Sequence, residues 1–114
     1  MSDALTVSAR LERGCVILDV SGEFTRYQFG RFIGKVRQEV RPGIRKVIVD
    51  AGGLTHMSPS ALGEVAETCR ALNEGGCQLV LVGLAPRVRR MLAVSALDKL
   101  IPVALTVEDA LGPG

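Results

Sequence analysis

The sequence predicts an α/β fold: a β-sheet opened by an N-terminal hairpin, with helices packed on it. Three observations carry this expectation. Leu5 to Leu11 alternates apolar and polar residues with the period of a half-buried strand, and Arg13-Gly14 turns it into a second apolar stretch. Two later segments repeat apolar residues at helical spacing. After the hairpin the patterns alternate as helix, strand, helix, strand, helix, strand, the order expected of a sheet covered by helices.

Taken in order, the second hairpin strand is Cys15 to Val20, ended by Ser21-Gly22. Beyond Thr25, the residues Phe29, Phe32, Ile33, Val36 and Val40 mark the buried face of a first helix, with Arg31, Lys35, Arg37 and Glu39 opposite. Pro42-Gly43 stops it. Lys46 to Asp50 is a short strand around Val47, Ile48 and Val49, whose continuous apolarity suggests burial on both faces. A second helix begins near Ser58, with Leu62, Val65, Ala66, Cys69 and Leu72 inward and Glu64, Glu67 and Arg70 outward, and Gly75-Gly76 closes it. Gln78 to Val82 is another interior strand. Pro86 opens a short helix with Val88, Met91 and Leu92 inward, and Ile101 to Leu105 is the last strand. Thr106 caps a terminal turn, with Asp109 three residues on in a variant of the capping box.

Residues 1–114 are one domain's worth, enough for a core without staples. Nearly half the residues are apolar, yet no run approaches the length needed to cross a bilayer, and Met1 to Ala4 lacks the basic and apolar character of a secretory signal. A soluble cytoplasmic protein without membrane insertion is expected. Cys15, Cys69 and Cys77 sit in apolar stretches without metal-ligand or redox spacing, so buried, reduced thiols are expected and no metal site. A net charge of +2 identifies no polyanionic partner, and the Arg87, Arg89, Arg90 cluster reads first as a solvated helix face. With few aromatic residues and no Trp, direct nucleic-acid binding is not expected.

Catalytic chemistry finds little material. The one histidine, His56, lies beside Ser58 and Ser60, but a nucleophile also needs an orienting third group and an oxyanion site, and Asp50 supplies neither by its position. Gly52-Gly53 and Gly75-Gly76 lack the pattern of a phosphate-binding loop and read as turns. No catalytic residue and no cofactor are assigned.

The segment Val47 to Gly63, VIVDAGGLTHMSPSALG, resembles the central signature of the STAS family: a buried strand ending in Asp, a loop with an apolar residue, then Asp-Ser-Ser/Thr-Gly-Leu-Gly opening a helix. Asp50, Gly53, Leu54, Met57, Leu62 and Gly63 fit it without a gap. Val20 to Glu23 is similar to the family's strand end and Gly-Glu turn, and Leu79 to Gly83, Pro86, Val88, Leu97 to Val103 and Thr106 to Leu111 match in order and spacing. The resemblance implies a mixed sheet with helices on one side. It also implies a bacterial regulatory role in signal transduction and transcription, as an anti-sigma factor antagonist switched by phosphorylation.

In that branch a kinase acting as anti-sigma factor phosphorylates a serine that follows the motif's Asp, which breaks the complex, and a phosphatase restores binding. Carried over without a gap, the motif Asp falls on Ser58, the switch serine on Pro59, the second Ser/Thr on Ser60 and the Gly on Ala61. The usual acceptor is missing. After Glu23 and Phe24, the family's frequent Asp is here Thr25. Ser58 as N-cap with Pro59 at the first helical position is a sound helix start, which remains a candidate place for added negative charge at Ser58 or Ser60. The expected partner-binding residues are Glu23, Thr25, Ser58, Pro59, Ser60 and Ala61. The expected partner is an anti-sigma factor or switch kinase-like protein, with a phosphatase if a switch operates. The alternative is an accessory subunit of a lipid-trafficking or other membrane transporter.

Overall fold

A computed structural model describes residues 5–113. Its sheet has five strands in the order β1-β2-β3-β4-β5: β1 Leu5–Glu12, β2 Cys15–Phe24, β3 Lys46–Met57, β4 Gln78–Val82 and β5 Val103–Ala104. The hairpin pair β1 and β2 is antiparallel and every other pair is parallel, so the sheet is mixed. The helices are α1 Phe29–Glu39, α2 Pro59–Glu74, α3 Pro86–Val94 and α4 Val107–Leu111, with short 3₁₀ turns at Arg26–Gln28 and Leu97–Lys99.

Side chains alternate across the three central strands as the pleat requires. Val16, Leu18 and Val20 of β2, Val47 and Val49 of β3, and Leu79 and Leu81 of β4 join the main core with Phe32 and Val36 of α1, Leu62 and Val65 of α2, and Val88 and Leu92 of α3. The alternate residues Cys15, Ile17, Ile48, Val80 and Val82 pack with Ala110 and Leu111. The continuous apolar runs of β3 and β4 therefore do reflect burial on both faces. The expectation of helices on one side alone is corrected, because α4 covers the other face. Arg13 fixes it there through Glu108 at 2.6 Å and the Gly112 carbonyl at 3.1 Å, and Lys46 donates to the Ala110 carbonyl at 2.6 Å.

The strand expected to stop at Asp50 continues to Met57, and β2 runs on to Phe24 beside it. Beyond the end of β4 these two strands run on together as a ribbon, in which Ser21 pairs with Gly53, Gly22 with Leu54, Glu23 with His56 and Phe24 with Met57. Gly52-Gly53 lies within β3 and is not a turn. The last strand shrinks from the expected Ile101 to Leu105 to two residues, since Pro102 has no N–H to donate, although its carbonyl accepts from Leu81.

All three cysteines are free and buried. Burial pushes the Cys69 and Cys77 thiols up from their ordinary value, which lowers the fraction of reactive thiolate near neutral pH. Native-state labelling with a thiol-specific disulfide reagent is expected to be slow and to accelerate on adding denaturant. Rapid labelling of all three in buffer alone would contradict this packing.

Candidate protein-binding site

The ribbon delivers the chain to the start of α2. Its two register shifts fall between Asp19 and Ser21 and between Gly22 and Glu23, each time with one extra residue on β3. Local side chains stabilise both bulges. Asp50 Oδ1 accepts the Gly52 N–H at 3.0 Å, and Thr55 Oγ1 donates to the Gly22 carbonyl at 3.1 Å. Asp50, set aside above as a catalytic partner of His56, thus has a local structural role.

At Met57 the ribbon ends, and the Ser58 N–H donates to the Phe24 carbonyl at 3.0 Å. Ser58 is the N-cap of α2, its Oγ accepting the Ala61 N–H at 3.1 Å, and Pro59 opens the helix where no N–H is needed. Ser58 Oγ also lies 3.1 Å from Ser60 Oγ. Pro59 and Ser60 are exposed and Ser58 is half-buried. The N-terminus of α2 therefore lies at the surface, joined by a hydrogen bond to the chain just before Thr25.

The remaining expected site residues divide. Glu23 is exposed at the ribbon end. Thr25 is half-buried and engaged in a capping box that was not anticipated: its Oγ1 accepts from the Tyr27 N–H at 3.1 Å, and the Gln28 side chain accepts its N–H at 2.8 Å. Ala61 is wholly buried, so its methyl group supports the helix start from beneath and does not reach the surface. Of the aromatics leading into α1, Phe24 is buried, Phe29 half-buried and Tyr27 79% exposed.

A groove of about 480 Å³ opens beside this helix start, between the ribbon and α3. Leu54, Met57, Leu84, Val88 and Met91 supply apolar wall, and Pro59, His56 and Arg87 also line it. Sequence patterning could place Val88 and Met91 on the inner side of α3, but the groove depends on the ribbon, which the pattern did not disclose. Among the described residues, no group of three or more His, Cys, Asp or Glu side chains is placed to hold a metal ion. No described helix is long and apolar enough to cross a membrane.

Residues 6–110 match the family described as the STAS domain. The chain belongs to the STAS domain family. It is 28% identical over 97 residues to BtrV of Bordetella bronchiseptica, provisionally described as an anti-sigma factor antagonist, covering 85% of this chain and 84% of that one. Among solved structures, it resembles an anti-sigma factor antagonist from Mycobacterium paratuberculosis with a TM-score of 0.79 and 24% identity, covering 95% of this chain and 92% of the other. It also resembles the anti-sigma factor antagonist SpoIIAA in its unphosphorylated form, with a TM-score of 0.73 and 22% identity, over 95% and 93% of the two chains. These structural likenesses establish the fold of this STAS domain.

Proposed function

We propose that this STAS domain is a regulatory protein-binding module of the anti-sigma factor antagonist kind, acting by docking and not by catalysis. Its partner is an anti-sigma factor or a kinase-like switch protein. The observation that carries this reading is the start of α2, where half-buried Ser58 caps the helix and Pro59 and Ser60 are exposed, at the end of the ribbon in which Glu23 pairs with His56. The relatives described above are named as antagonists, and the chain covers at least 84% of each, which supports this role over that of a transporter accessory subunit.

The usual switch position holds Pro59, which has no hydroxyl to phosphorylate. Ser58 spends its oxygen on the helix cap, whereas the Ser60 hydroxyl is exposed. A relocated switch would therefore act at Ser60, where a phosphate meets the positive end of the helix dipole.

Ser60→Asp tests the docking face. The added carboxylate suits the helix dipole, contributing about 0.3–1 kcal/mol to the free protein, so folding is expected to be retained. Desolvating that unpaired charge in an interface is expected to weaken partner binding by about tenfold or more. Ser60→Ala adds no charge and is expected to be much milder. Affinity by calorimetry, alongside thermal unfolding, separates binding from stability. Unchanged affinity in a folded Ser60→Asp protein would remove this face from the reading.

A further inference from the structure

We propose that the groove between the ribbon and α3 receives an acidic, apolar-anchored segment of the partner protein, with Arg87 pairing with one of its carboxylates. This deepens the docking reading above and rests on it, by specifying the chemistry of what docks.

The sign of the charge comes from the residues around the groove. Leu54, Met57, Leu84, Val88 and Met91 make an apolar trough able to seat a large aliphatic or aromatic side chain, and its charged or titratable lining is Arg87 and His56. No carboxylate lies on the ribbon stretch 51–57, in the first turn of α2, or anywhere on α3. Glu23, paired in register with His56, is the one acidic residue on the facing stretch of β2, residues 21–24. Three arginines, Arg87, Arg89 and Arg90, stand exposed on the nine residues of α3, and none makes a salt bridge or a side-chain hydrogen bond among the described residues. Elsewhere Arg10, Arg13 and Arg70 are ion-paired, whereas Arg26, Arg31, Arg37, Arg41 and Arg45 make no salt bridge among the described residues, so the sign of the groove rests on the lack of carboxylates around it and not on unpaired arginines alone.

The contrast with the groove between α1 and α2, about 610 Å³, decides which surface carries the inference. There Arg37 and Arg70 are balanced by Glu64 and Glu67, and Arg70 is already engaged by Glu67 and Glu74. That surface selects no sign of charge. The groove beside α3 does, since a guanidinium at an apolar rim recognises a carboxylate through paired N–H donors, and burial of the apolar neighbour screens that contact from water. No Phe, Tyr or Trp lines it to stack nucleobases, which favours a peptide over nucleic acid. A short amphipathic helix, with an apolar face in the trough and an acidic residue toward α3, fits both features.

The test is to pan a display library of random segments, about twelve residues long, on the full-length protein. Segments with a Leu, Ile, Phe or Met flanked by Asp or Glu are expected to be enriched. A selected peptide, made synthetically, is expected to bind Arg87→Glu at least about tenfold more weakly, and Arg87→Gln to an intermediate degree. Its acidic-to-Lys counterpart is expected to prefer Arg87→Glu. Arg87 is exposed, and thermal unfolding of both variants verifies that they remain folded. Enrichment of basic or neutral segments, no enrichment, or equal affinity for Arg87→Glu would overturn the proposal. So would binding no tighter than that of polyglutamate of equal length, or tighter binding of an RNA oligonucleotide of matched charge. If Ser60→Asp weakens binding of the whole partner while Arg87→Glu does not, the docking face stands and the groove assignment falls. Insensitivity to both removes the face itself.

Discussion

Phe24→Ala is expected to lower the free energy of unfolding by about 3–5 kcal/mol, the range found when a buried Phe is truncated and its cavity only partly collapses. Phe24 is 1% exposed and packs its ring 5.2 Å from that of Phe32 and 6.4 Å from that of Phe29, with Phe29 and Phe32 themselves 5.7 Å apart. This aromatic cluster joins the end of β2 to α1. A loss of that size is a large part of the roughly 5–15 kcal/mol that stabilises a typical domain. Phe24 also accepts the Ser58 N–H through its carbonyl, so movement of the emptied cluster should loosen the start of α2. Denaturant unfolding measures the first effect and amide exchange at Ser58 the second. Tyr27, mostly exposed two residues after Thr25, is the control, since Tyr27→Ala is expected to stay within about 0.5 kcal/mol of the unaltered protein. Equal losses at the two positions would contradict the aromatic cluster.

The contrast between Phe24 and Tyr27 also shows where sequence patterning reaches its limit. Elements with a clean period were legible: the alternation of β1, the helical stripes of α1 and α2, and the doubly buried centres of β3 and β4. The start of α2 was legible because Ser58-Pro59 combines an N-cap oxygen with a residue that needs no donor there. The ribbon was not. Each bulge inserts a residue into β3 and resets its period of two, so Asp50 to Met57 loses the alternation by which a strand is recognised. Gly52-Gly53 then imitates a turn. Thr25 to Gln28 was missed for a related reason, because a single 3₁₀ turn is too short to show a period, though Thr25 and Gln28 do have capping-box spacing. The side covered by α4 could not be read either, since five residues carry too little pattern and long-range contacts through Arg13 and Lys46 fix its position. The site was thus half legible: its helix start from local chemistry, its groove only once the ribbon is in place.

Gly53→Ala is expected to destabilise the protein by about 1–3 kcal/mol, toward the upper end for an overpacking substitution, because the added atom meets Ser21 Cβ and backbone atoms of β2, none of them a movable side-chain tip. A Cβ at Gly53 would lie 2.7 Å from Ser21 Cβ, 3.2 Å from the Val20 carbonyl oxygen and 3.3 Å from Ser21 Cα. Those atoms belong to β2, which is paired on both sides and cannot retreat without disturbing β1. Two other glycines separate this steric cause from a general effect of alanine. Gly52 would place its Cβ 3.3 Å from Asp50 Oδ1, at the end of a side chain that can turn, so Gly52→Ala should cost less, mainly by disturbing the bulge hydrogen bond. Gly63, within α2, has nothing within 4 Å of its added Cβ, and Gly63→Ala should stabilise the helix by up to about 1 kcal/mol. Denaturant unfolding of the three variants should therefore rank Gly53→Ala lowest, Gly52→Ala between and Gly63→Ala highest. Because the ribbon carries the chain to Ser58, Gly53→Ala should also raise amide exchange from Leu54 to Ser58 more than in β4. If Gly53→Ala were as stable as Gly63→Ala, or exchange rose equally in both regions, the close contact of β3 with β2 at Ser21 would not be what holds the ribbon and the α2 start in position.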